Sequence, residues 1–236
     1  MLKAVVLAAG KGTRLGSLTQ ATPKPMLPVN GHPLIHYTLT LLASSGVTDV
    51  FINLHHCPDV LTAYCATGER WGVRITYSHE PELLGSAGTI RHLGDALGSA
   101  PFYVLYGDNY FECDLMALAD FHRQTNALAT IGLTEKADTS GSGIVALDTR
   151  GRIRRFKEKP SAEEVFSHLV NAGVYVLSPE VLPLIPASTP CDFGQAVFPA
   201  LLARDHALYG LLAGPVWGSD TPELYRALLA HLSLGS

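Results

Sequence analysis

Residues 2–16 read LKAVVLAAGKGTRLG, an apolar run that ends in a loop with three glycines. The run Leu2–Ala9 predicts a buried first strand. Glycine allows the N–H groups of such a loop to approach an anion, because it adds no Cβ and tolerates unusual dihedral angles. The glycine spacing matches neither a dinucleotide fingerprint nor a P-loop. Taken alone, the loop indicates either an anion site or a tight strand-to-helix turn.

Up to about residue 135, β-rich apolar runs alternate with helical periodicity, which predicts a parallel sheet covered by helices. The predicted strands are Leu2–Ala9, Val47–Leu54, Val73–Ser78, Phe102–Tyr106 and Ala127–Leu133. Farther along, Ile144–Leu147 and Ile153–Phe156 predict an antiparallel insertion, and Leu169–Leu177 predicts a further strand. The fold class is therefore α/β, a three-layer, mainly parallel, Rossmann-like sheet with an antiparallel insertion.

Length and composition narrow the classes of protein. A chain of 236 residues with 47% hydrophobic content can bury one core without metals or disulfides. A net charge of −4 argues against a broad surface for nucleic acid or anionic lipid. No apolar run approaches the roughly 20 residues that span a bilayer. The four cysteines lack zinc-like spacing, so we expect a reduced, cytoplasmic setting. From the charge and the short apolar runs, we expect neither a nucleic-acid nor a membrane partner.

Basic residues gather close to the glycine loop. Lys11, Arg14 and Lys24 lie in one short segment of an acidic chain. Pro23 and Pro25 fix φ on either side of Lys24 and would hold its ammonium in one direction. Placed positive charge of this kind suits a polyphosphate, although a solvated basic face is the alternative.

The segments Leu7–Leu15 and Pro23–Pro28 closely resemble the opening signature of the sugar-phosphate nucleotidyltransferases. That family includes mannose-1-phosphate and heptose-1-phosphate guanylyltransferases and glucose-1-phosphate thymidylyltransferases. Later motifs in the same order extend the resemblance over nearly the whole chain. The resemblance implies an enzyme that joins a nucleoside triphosphate to a sugar 1-phosphate and releases pyrophosphate, with Mg²⁺ as cofactor.

One domain, 1–236, is expected, with a nucleotide-binding part at 1–135 and a sugar-phosphate-binding part at 136–236. The sequence ends soon after the last predicted helix, so we expect no additional acyltransferase domain. The family implies that the glycine loop wraps the triphosphate and that Arg14 and Lys24 contact it. The segment Glu80–Thr89 resembles the part of the family that lies against base and ribose. The implied nucleotide-binding residues are Leu7, Ala8, Ala9, Gly10, Gly12, Thr13, Glu80, Gly85 and Ser86.

The base preference is predicted from Glu80. An ionised carboxylate only accepts hydrogen bonds, and guanine offers two adjacent donors, so GTP is favoured, with UTP, dTTP and CTP left open. A solvated Glu80, and a helix merely capped by Ser86, are the local alternatives.

Two aspartates resemble the metal ligands of the family. Asp108 follows the strand Phe102–Tyr106, where open α/β sheets bind ligands. Many relatives carry the second aspartate in W-x-D-x-G-T, but here Gly218 occupies that position, as Trp217-Gly218-Ser219-Asp220-Thr221 shows. Asp220 is the candidate second ligand, as in some cytidylyltransferase relatives. A helix cap paired with Glu223 is the alternative.

The sugar-phosphate contacts are expected in the insertion. Gly143 resembles a backbone contact, Glu158-Lys159 a carboxylate with a phosphate-binding lysine, and Asn171 a hydroxyl-binding amide. Each could instead be a strand end or a turn.

The implied chemistry is direct, in-line attack of a sugar phosphate oxygen on the α-phosphorus. Two anions must meet, and each pair of unit charges about 4 Å apart costs about 4 kcal/mol at an effective dielectric of about 20. Lys159 would carry the sugar phosphate, and Arg14 and Lys24 would stabilise pyrophosphate. A non-catalytic nucleotide-sugar-binding module and a dinucleotide-dependent oxidoreductase are the alternatives, and 53–56 lacks the acidic residue that the latter needs. The sequence specifies neither the sugar nor the oligomeric state.

Overall fold

In a computed structural model, the chain is described over residues 2–233 and divides into two compact units. Unit 1 takes in the chain up to Leu83, the segment Leu105–Glu112 and the chain from Val216 onward. Unit 2 takes in Leu84–Val104 and Cys113–Pro215. The compact units therefore interleave in sequence and do not divide at residue 135. The predicted parts 1–135 and 136–236 divide the chain by function, into nucleotide binding and sugar-phosphate binding. That functional division stays a prediction.

Strands and helices occur in both units. The strands are β1 (Leu2–Leu7), β2 (Pro28–Val29), β3 (His32–Pro33), β4 (Val47–Leu54), β5 (Arg74–His79), β6 (Phe102–Tyr106), β7 (Asn109–Phe111), β8 (Ala129–Glu135), β9 (Ile144–Leu147), β10 (Ile153–Lys157), β11 (Leu169–Leu177), β12 (Leu208–Leu212) and β13 (Val216–Gly218). The α-helices are α1 (Leu34–Ser44), α2 (Pro58–Cys65), α3 (Ser86–His92), α4 (Gly94–Leu97), α5 (Leu115–Thr125), α6 (Phe198–Ala203) and α7 (Pro222–Ser233). Short 3₁₀ helices cover Thr13–Thr19, Lys24–Met26, Glu69–Trp71, Ala162–Glu164 and Pro179–Leu184, and a π-helix covers Phe193–Val197.

Unit 1 is built on parallel strands. β1 pairs with β4, and β4 pairs with β5, so the carboxyl ends of the three strands lie along one edge. β1 ends at Leu7, two residues before the predicted end, because the Ala8 N–H donates to Asn53 Oδ1 at 2.6 Å instead of continuing the strand. β7 and β13 form a separate antiparallel pair in this unit.

Unit 2 is built mainly on antiparallel pairs. β8 pairs antiparallel with β11 and parallel with β12, and β9 pairs antiparallel with both β10 and β11. The β9–β10 turn is held by Asp148, whose Oδ1 accepts from the N–H groups of Arg150 and Arg152 at 2.9 and 3.0 Å. This hairpin is the predicted insertion. The α/β class with parallel strands and an antiparallel insertion is thereby confirmed.

The helices follow their apolar patterns. In α1, the buried residues Leu34, Ile35, Leu39 and Leu42 share one face, and Gly46 follows the helix with a φ of 78°. α5 begins after Asp114, whose carboxylate accepts from the Ala117 N–H at 2.9 Å and so caps the helix. Within residues 2–233, no helix combines the length and the apolar character needed to cross a membrane. The four cysteines carry free thiols.

Candidate active site

The glycine loop of unit 1 packs against Lys24. Gly12 has a φ of 65°, and a Cβ added there would lie 2.9 Å from Lys24 Cγ and 3.0 Å from Thr19 Cγ2. Thr19 Oγ1 also donates to the Gly12 carbonyl at 2.8 Å. Gly12 therefore has both a conformational and a steric reason to be glycine. The neighbouring Gly10 and Thr13 are exposed, whereas Ala8 and Ala9 are buried.

Lys24 is the centre of a charged cluster. It begins a short 3₁₀ helix between Pro23 and Pro25, and only 6% of its surface is exposed. Its ammonium donates to Asp108 Oδ2 at 3.0 Å and, more closely, to Asp220 Oδ1. Burial lowers the pKa of Lys24, but attraction by the two carboxylates more than offsets that effect and raises the pKa above its ordinary value. The ammonium is therefore held charged in a buried position.

The β7–β13 pair brings the two aspartates together. Gly218 pairs with Asn109, and the Ser219 hydroxyl donates to the Asp108 carbonyl at 2.8 Å. Asp220 follows directly, and its Oδ1 also accepts from Arg14 Nη2 at 2.8 Å. A Cβ at Gly218 would lie 3.9 Å from Asp220 Oδ2, so the carboxylate of Asp220 occupies space beside the position at which the family resemblance led us to expect an aspartate.

The cap of α7 is provided by Thr221. Its Oγ1 accepts from the Leu224 N–H at 3.3 Å. Asp220 meanwhile forms ion pairs with Lys24 and Arg14. The arrangement favours the charged cluster over the capping alternative for Asp220.

The donor set of Asp108 and Asp220 suits Mg²⁺. This ion is typically held by one or two carboxylates, with substrate phosphates and water completing an octahedron. Within the described part of the chain, no group of three or more His, Cys, Asp or Glu side chains could hold a metal alone. Two convergent carboxylates therefore fit an ion that phosphate oxygens share.

Glu80 is buried in unit 1. Its exposed fraction is 2%, and its Oε1 accepts from Asn53 Nδ2 at 2.9 Å. The alternative of a solvated surface glutamate is therefore wrong. Asn53 was not predicted as a site residue, although a polar residue within the apolar strand β4 is the signal that could have identified it.

In unit 2, the predicted loop at Gly85 and Ser86 packs against a segment that the sequence did not indicate. Gly85 has a φ of 79°, and a Cβ there would lie 2.5 Å from the Cys191 carbonyl oxygen. Ser86 is the first residue of α3 and not its cap. Its N–H and its hydroxyl both donate to Asp192 Oδ1 at 3.0 Å. Asp192 precedes the periodic apolar residues Phe193 and Val197, which is the pattern of an N-cap and could have identified it.

Glu158 lies over two glycines of unit 2. A Cβ at Gly143 would lie 2.7 Å from Glu158 Oε2, and a Cβ at Gly194 would be closer still. Burial raises the pKa of Glu158, the Lys159 ammonium opposes this rise, and Asp192 adds to it, so the pKa lies above its usual range. The carboxylate position thus requires both glycines.

Asn171 and Lys159 lie next to this carboxylate site. The Asn171 N–H donates to the Gly143 carbonyl at 2.8 Å, and its side-chain Nδ2 donates to the Tyr175 hydroxyl at 2.9 Å. Lys159 is exposed, with a φ of 45°, and its N–H donates to the Ser142 carbonyl at 3.2 Å. Unit 2 therefore groups Gly143, Glu158 and Asn171 and leaves the Lys159 side chain in solvent.

Solved structures share this fold. UDP-glucose pyrophosphorylase complexed with UDP-glucose aligns over 100% of both chains at 19% identity, with a TM-score of 0.83. HddC from Yersinia pseudotuberculosis aligns over 98% of this chain and 100% of its own, at 22% identity and a TM-score of 0.80. The fold class is that of the nucleotide-diphospho-sugar transferases.

The profile of the Nucleotidyl transferase family matches residues 3–221, and the chain belongs to this family. It is 34% identical to the UTP–glucose-1-phosphate uridylyltransferase of Synechocystis, over 98% of this chain and 64% of the relative. It is 36% identical to the mannose-1-phosphate guanylyltransferase of Mycobacterium tuberculosis, over 93% of this chain and 61% of the relative. The chain thus spans less than two thirds of the length of these curated relatives.

Proposed function

We propose that this chain transfers a nucleotidyl group from a nucleoside triphosphate, with GTP favoured, to a sugar 1-phosphate, and releases pyrophosphate. The observation that carries the proposal is the buried Lys24 ammonium, which pairs with Asp108 and Asp220 beside the glycine loop. Triphosphate chemistry needs placed charges of both signs: cations for phosphate oxygens and carboxylates for a metal ion. Membership of the nucleotidyl transferase family supports the same reaction.

The phosphate groups of the triphosphate are assigned to unit 1. Arg14 and Lys24 supply positive charge that would stabilise the departing pyrophosphate, because developing negative charge is best met by groups already in place. Mg²⁺ bound at Asp108 and Asp220 would supply charge neutralisation at the phosphates. The Arg14 guanidinium is largely exposed and pairs with Asp220, so it can reach a phosphate without a large loss of buried contacts.

The sugar 1-phosphate is assigned to unit 2. The exposed Lys159 ammonium would hold the phosphate. Glu158 and Asn171 would bind hydroxyl groups, and Gly143 would leave room for close approach to the backbone. A sugar phosphate is already ionised near neutral pH. The residues of this set therefore need to bind and orient the nucleophile but not to remove a proton from it.

The choice of GTP rests on Glu80. The named relatives differ in nucleobase, since the Synechocystis protein is a uridylyltransferase and the Mycobacterium tuberculosis protein a guanylyltransferase. A buried carboxylate that accepts from Asn53 presents acceptors, which match the adjacent N1 and N2 donors of guanine.

We place the reaction in the cytoplasm.

A labelling experiment tests the reaction. GTP labelled at the α-phosphate is incubated with Mg²⁺, the protein and mannose 1-phosphate, and the products are separated. We expect the label in a GDP-sugar and unlabelled pyrophosphate in equal amount. Label in GMP, or pyrophosphate release that does not depend on the sugar 1-phosphate, would contradict the proposal.

A further inference from the structure

Asn53 joins two residues of the predicted nucleotide set in unit 1. It lies near the carboxyl end of β4, with 4% of its surface exposed. Its Oδ1 accepts from the Ala8 N–H at 2.6 Å, and its Nδ2 donates to Glu80 Oε1 at 2.9 Å. Because the backbone N–H of Ala8 can only donate, the atom that meets it must be the amide oxygen. The amide nitrogen of Asn53 is thereby directed at residue 80.

The main chain of Glu80 is fixed independently. Its N–H donates to the Leu54 carbonyl at 2.8 Å. Its carbonyl lies 2.8 Å from His55 Nδ1, which must be the donor because the carbonyl only accepts. With the backbone held on both sides, the side chain of residue 80 has a restricted reach. The hydrogen bond to Asn53 then determines which side-chain atom of residue 80 faces Asn53 and which one is directed elsewhere.

The parallel strands explain why these three residues meet. Ala8 follows β1, Asn53 lies on β4, and Glu80 follows β5, and these strands are neighbours in the order β1, β4, β5. A chain of hydrogen bonds therefore runs across three strand ends, from the Ala8 N–H through the Asn53 amide to the Glu80 carboxylate. Leaving a buried polar group unpaired costs free energy, so the donor and the acceptor of each of these hydrogen bonds are strongly specified.

We propose that Asn53 is a positioning residue that determines nucleobase preference by presenting a donor to residue 80. The proposal rests on the function proposed above, in which Glu80 meets the base. With glutamate at position 80, both side-chain oxygens are acceptors, which suits the adjacent donors of guanine. With glutamine there, Asn53 would draw the amide oxygen and leave the amide nitrogen, a donor that suits the carbonyl groups of uracil or thymine.

Two variants separate this role from a structural one. Glu80→Gln should lower the ratio of GTP to UTP affinity about tenfold or more, because a donor replaces a charged acceptor. The double variant Asn53→Asp/Glu80→Gln reverses the direction of the hydrogen bond between positions 53 and 80. The carboxylate introduced on β4 accepts from both the Ala8 N–H and the new amide nitrogen at position 80. The amide oxygen at position 80 is then left to meet the base, and the ratio should return toward that of the unaltered protein.

The affinities are measured by equilibrium dialysis of GTP and UTP with Mg²⁺, beside thermal midpoints and pyrophosphate release. A purely structural Asn53 would let the double variant recover its thermal midpoint while the affinity ratio stayed as in Glu80→Gln, and that result overturns the proposal. So does an unchanged ratio in Glu80→Gln. If the ratios follow the prediction but no protein releases pyrophosphate, the proposed transfer fails while Asn53 keeps its role in base recognition.

A second comparison applies if the double variant does not fold. In an Asn53→Ala background, residue 80 loses the donor that orients it, so Glu80→Gln should change the affinity ratio much less than it does beside Asn53. An equal change in both backgrounds would show that Asn53 does not act on residue 80, and would overturn the proposal.

Discussion

At the scale of single residues, Lys24 connects the features of unit 1. Its alkyl chain lies against Gly12, and its ammonium pairs with Asp108 and Asp220. The two carboxylates more than offset the effect of burial on its pKa, so the charge is maintained. Removing one member of such a cluster leaves another charge poorly compensated, which is why conservative substitutions are the informative ones.

Asp108→Asn should lower the turnover on the order of 100-fold with little change in fold, because an amide can still accept from Lys24 but cannot supply an anionic metal ligand. The measurement is Mg²⁺-dependent pyrophosphate release beside the thermal midpoint. Asp120→Asn is the matched control, since Asp120 pairs with Arg123 at the surface of α5. Near-normal turnover in Asp108→Asn would remove Asp108 from the site.

Asp220 and Thr221 are neighbours with separable roles. Thr221→Ala should cost about 1 kcal/mol of unfolding free energy through loss of the α7 cap, with turnover largely kept. Asp220→Asn should instead lower turnover severely, because its carboxylate pairs with Lys24 and Arg14. Denaturant unfolding and steady-state rates on both variants decide the matter. If Asp220→Asn changes stability alone, Asp220 is not a metal ligand.

Lys159→Ala should raise the KM for the sugar 1-phosphate far more than the KM for the triphosphate, since its proposed charge meets one substrate only. Lys157→Ala is the control, because Lys157 lies two residues away and pairs with Glu164 on the surface. Equal losses for both substrates would assign Lys159 a different role.

At the scale of elements, the local sequence pattern was sufficient to predict where several strands begin and end. It was not sufficient to predict which distant segments pair. The bounds of β4, β6, β9 and β11 match the prediction because each is a buried apolar run between turn residues. The pairing of β7 with β13 has no local signal, since it depends on contacts between segments far apart in sequence. The meeting of Asp108 with Asp220 could therefore be expected only from family resemblance, and the contact between Ser86 and Asp192 not at all.

Asp192 provides a test of the Ser86 turn in unit 2. Asp192→Asn keeps an oxygen that can accept from the Ser86 N–H and hydroxyl, whereas Asp192→Ala removes it. We expect Asp192→Ala to raise the triphosphate KM about tenfold or more, and Asp192→Asn to restore most of the loss. The steady-state KM values of the two variants are compared. Equal loss in both would show that the charge, and not the hydrogen bonds, is required.

His122 makes the stability of unit 2 depend on pH. It is buried on α5, where its ring nitrogens lie 2.9 Å from the hydroxyls of Thr130 and Ser178, and burial lowers its pKa to about 4. Above the ordinary pKa of about 6.5, the ring is neutral in both states and its contribution is complete. As the pH falls toward 4, only the unfolded chain gains the proton, so up to about 3 kcal/mol of stability is lost.

His122→Gln removes this titration and keeps polar contacts. Its unfolding free energy should fall less than that of the unaltered protein between about pH 7 and pH 4.5, as measured by denaturant unfolding. Parallel curves for the two proteins would mean that His122 does not carry the pH dependence.

At the scale of the whole molecule, the predicted residues divide by unit. Unit 1 holds the glycine loop, the charged cluster and Glu80, and unit 2 holds the Ser86 turn and the sugar-phosphate set. In the proposed reaction, an acidic chain of net charge −4 would bind its anionic substrates through these few placed residues and not through a general positive field. Both sets are required by the proposed reaction, so neither substrate alone should produce turnover.

Pyrophosphate release across a matrix of GTP, UTP, dTTP and CTP against sugar 1-phosphates, each with Mg²⁺, tests the proposed transfer most directly. The expected result is release that requires both substrates, is fastest with GTP and falls on the order of 100-fold in Asp108→Asn. Release from no combination, or release that continues without a sugar 1-phosphate, would contradict nucleotidyl transfer, and faster release with UTP or dTTP would contradict the role assigned to Glu80.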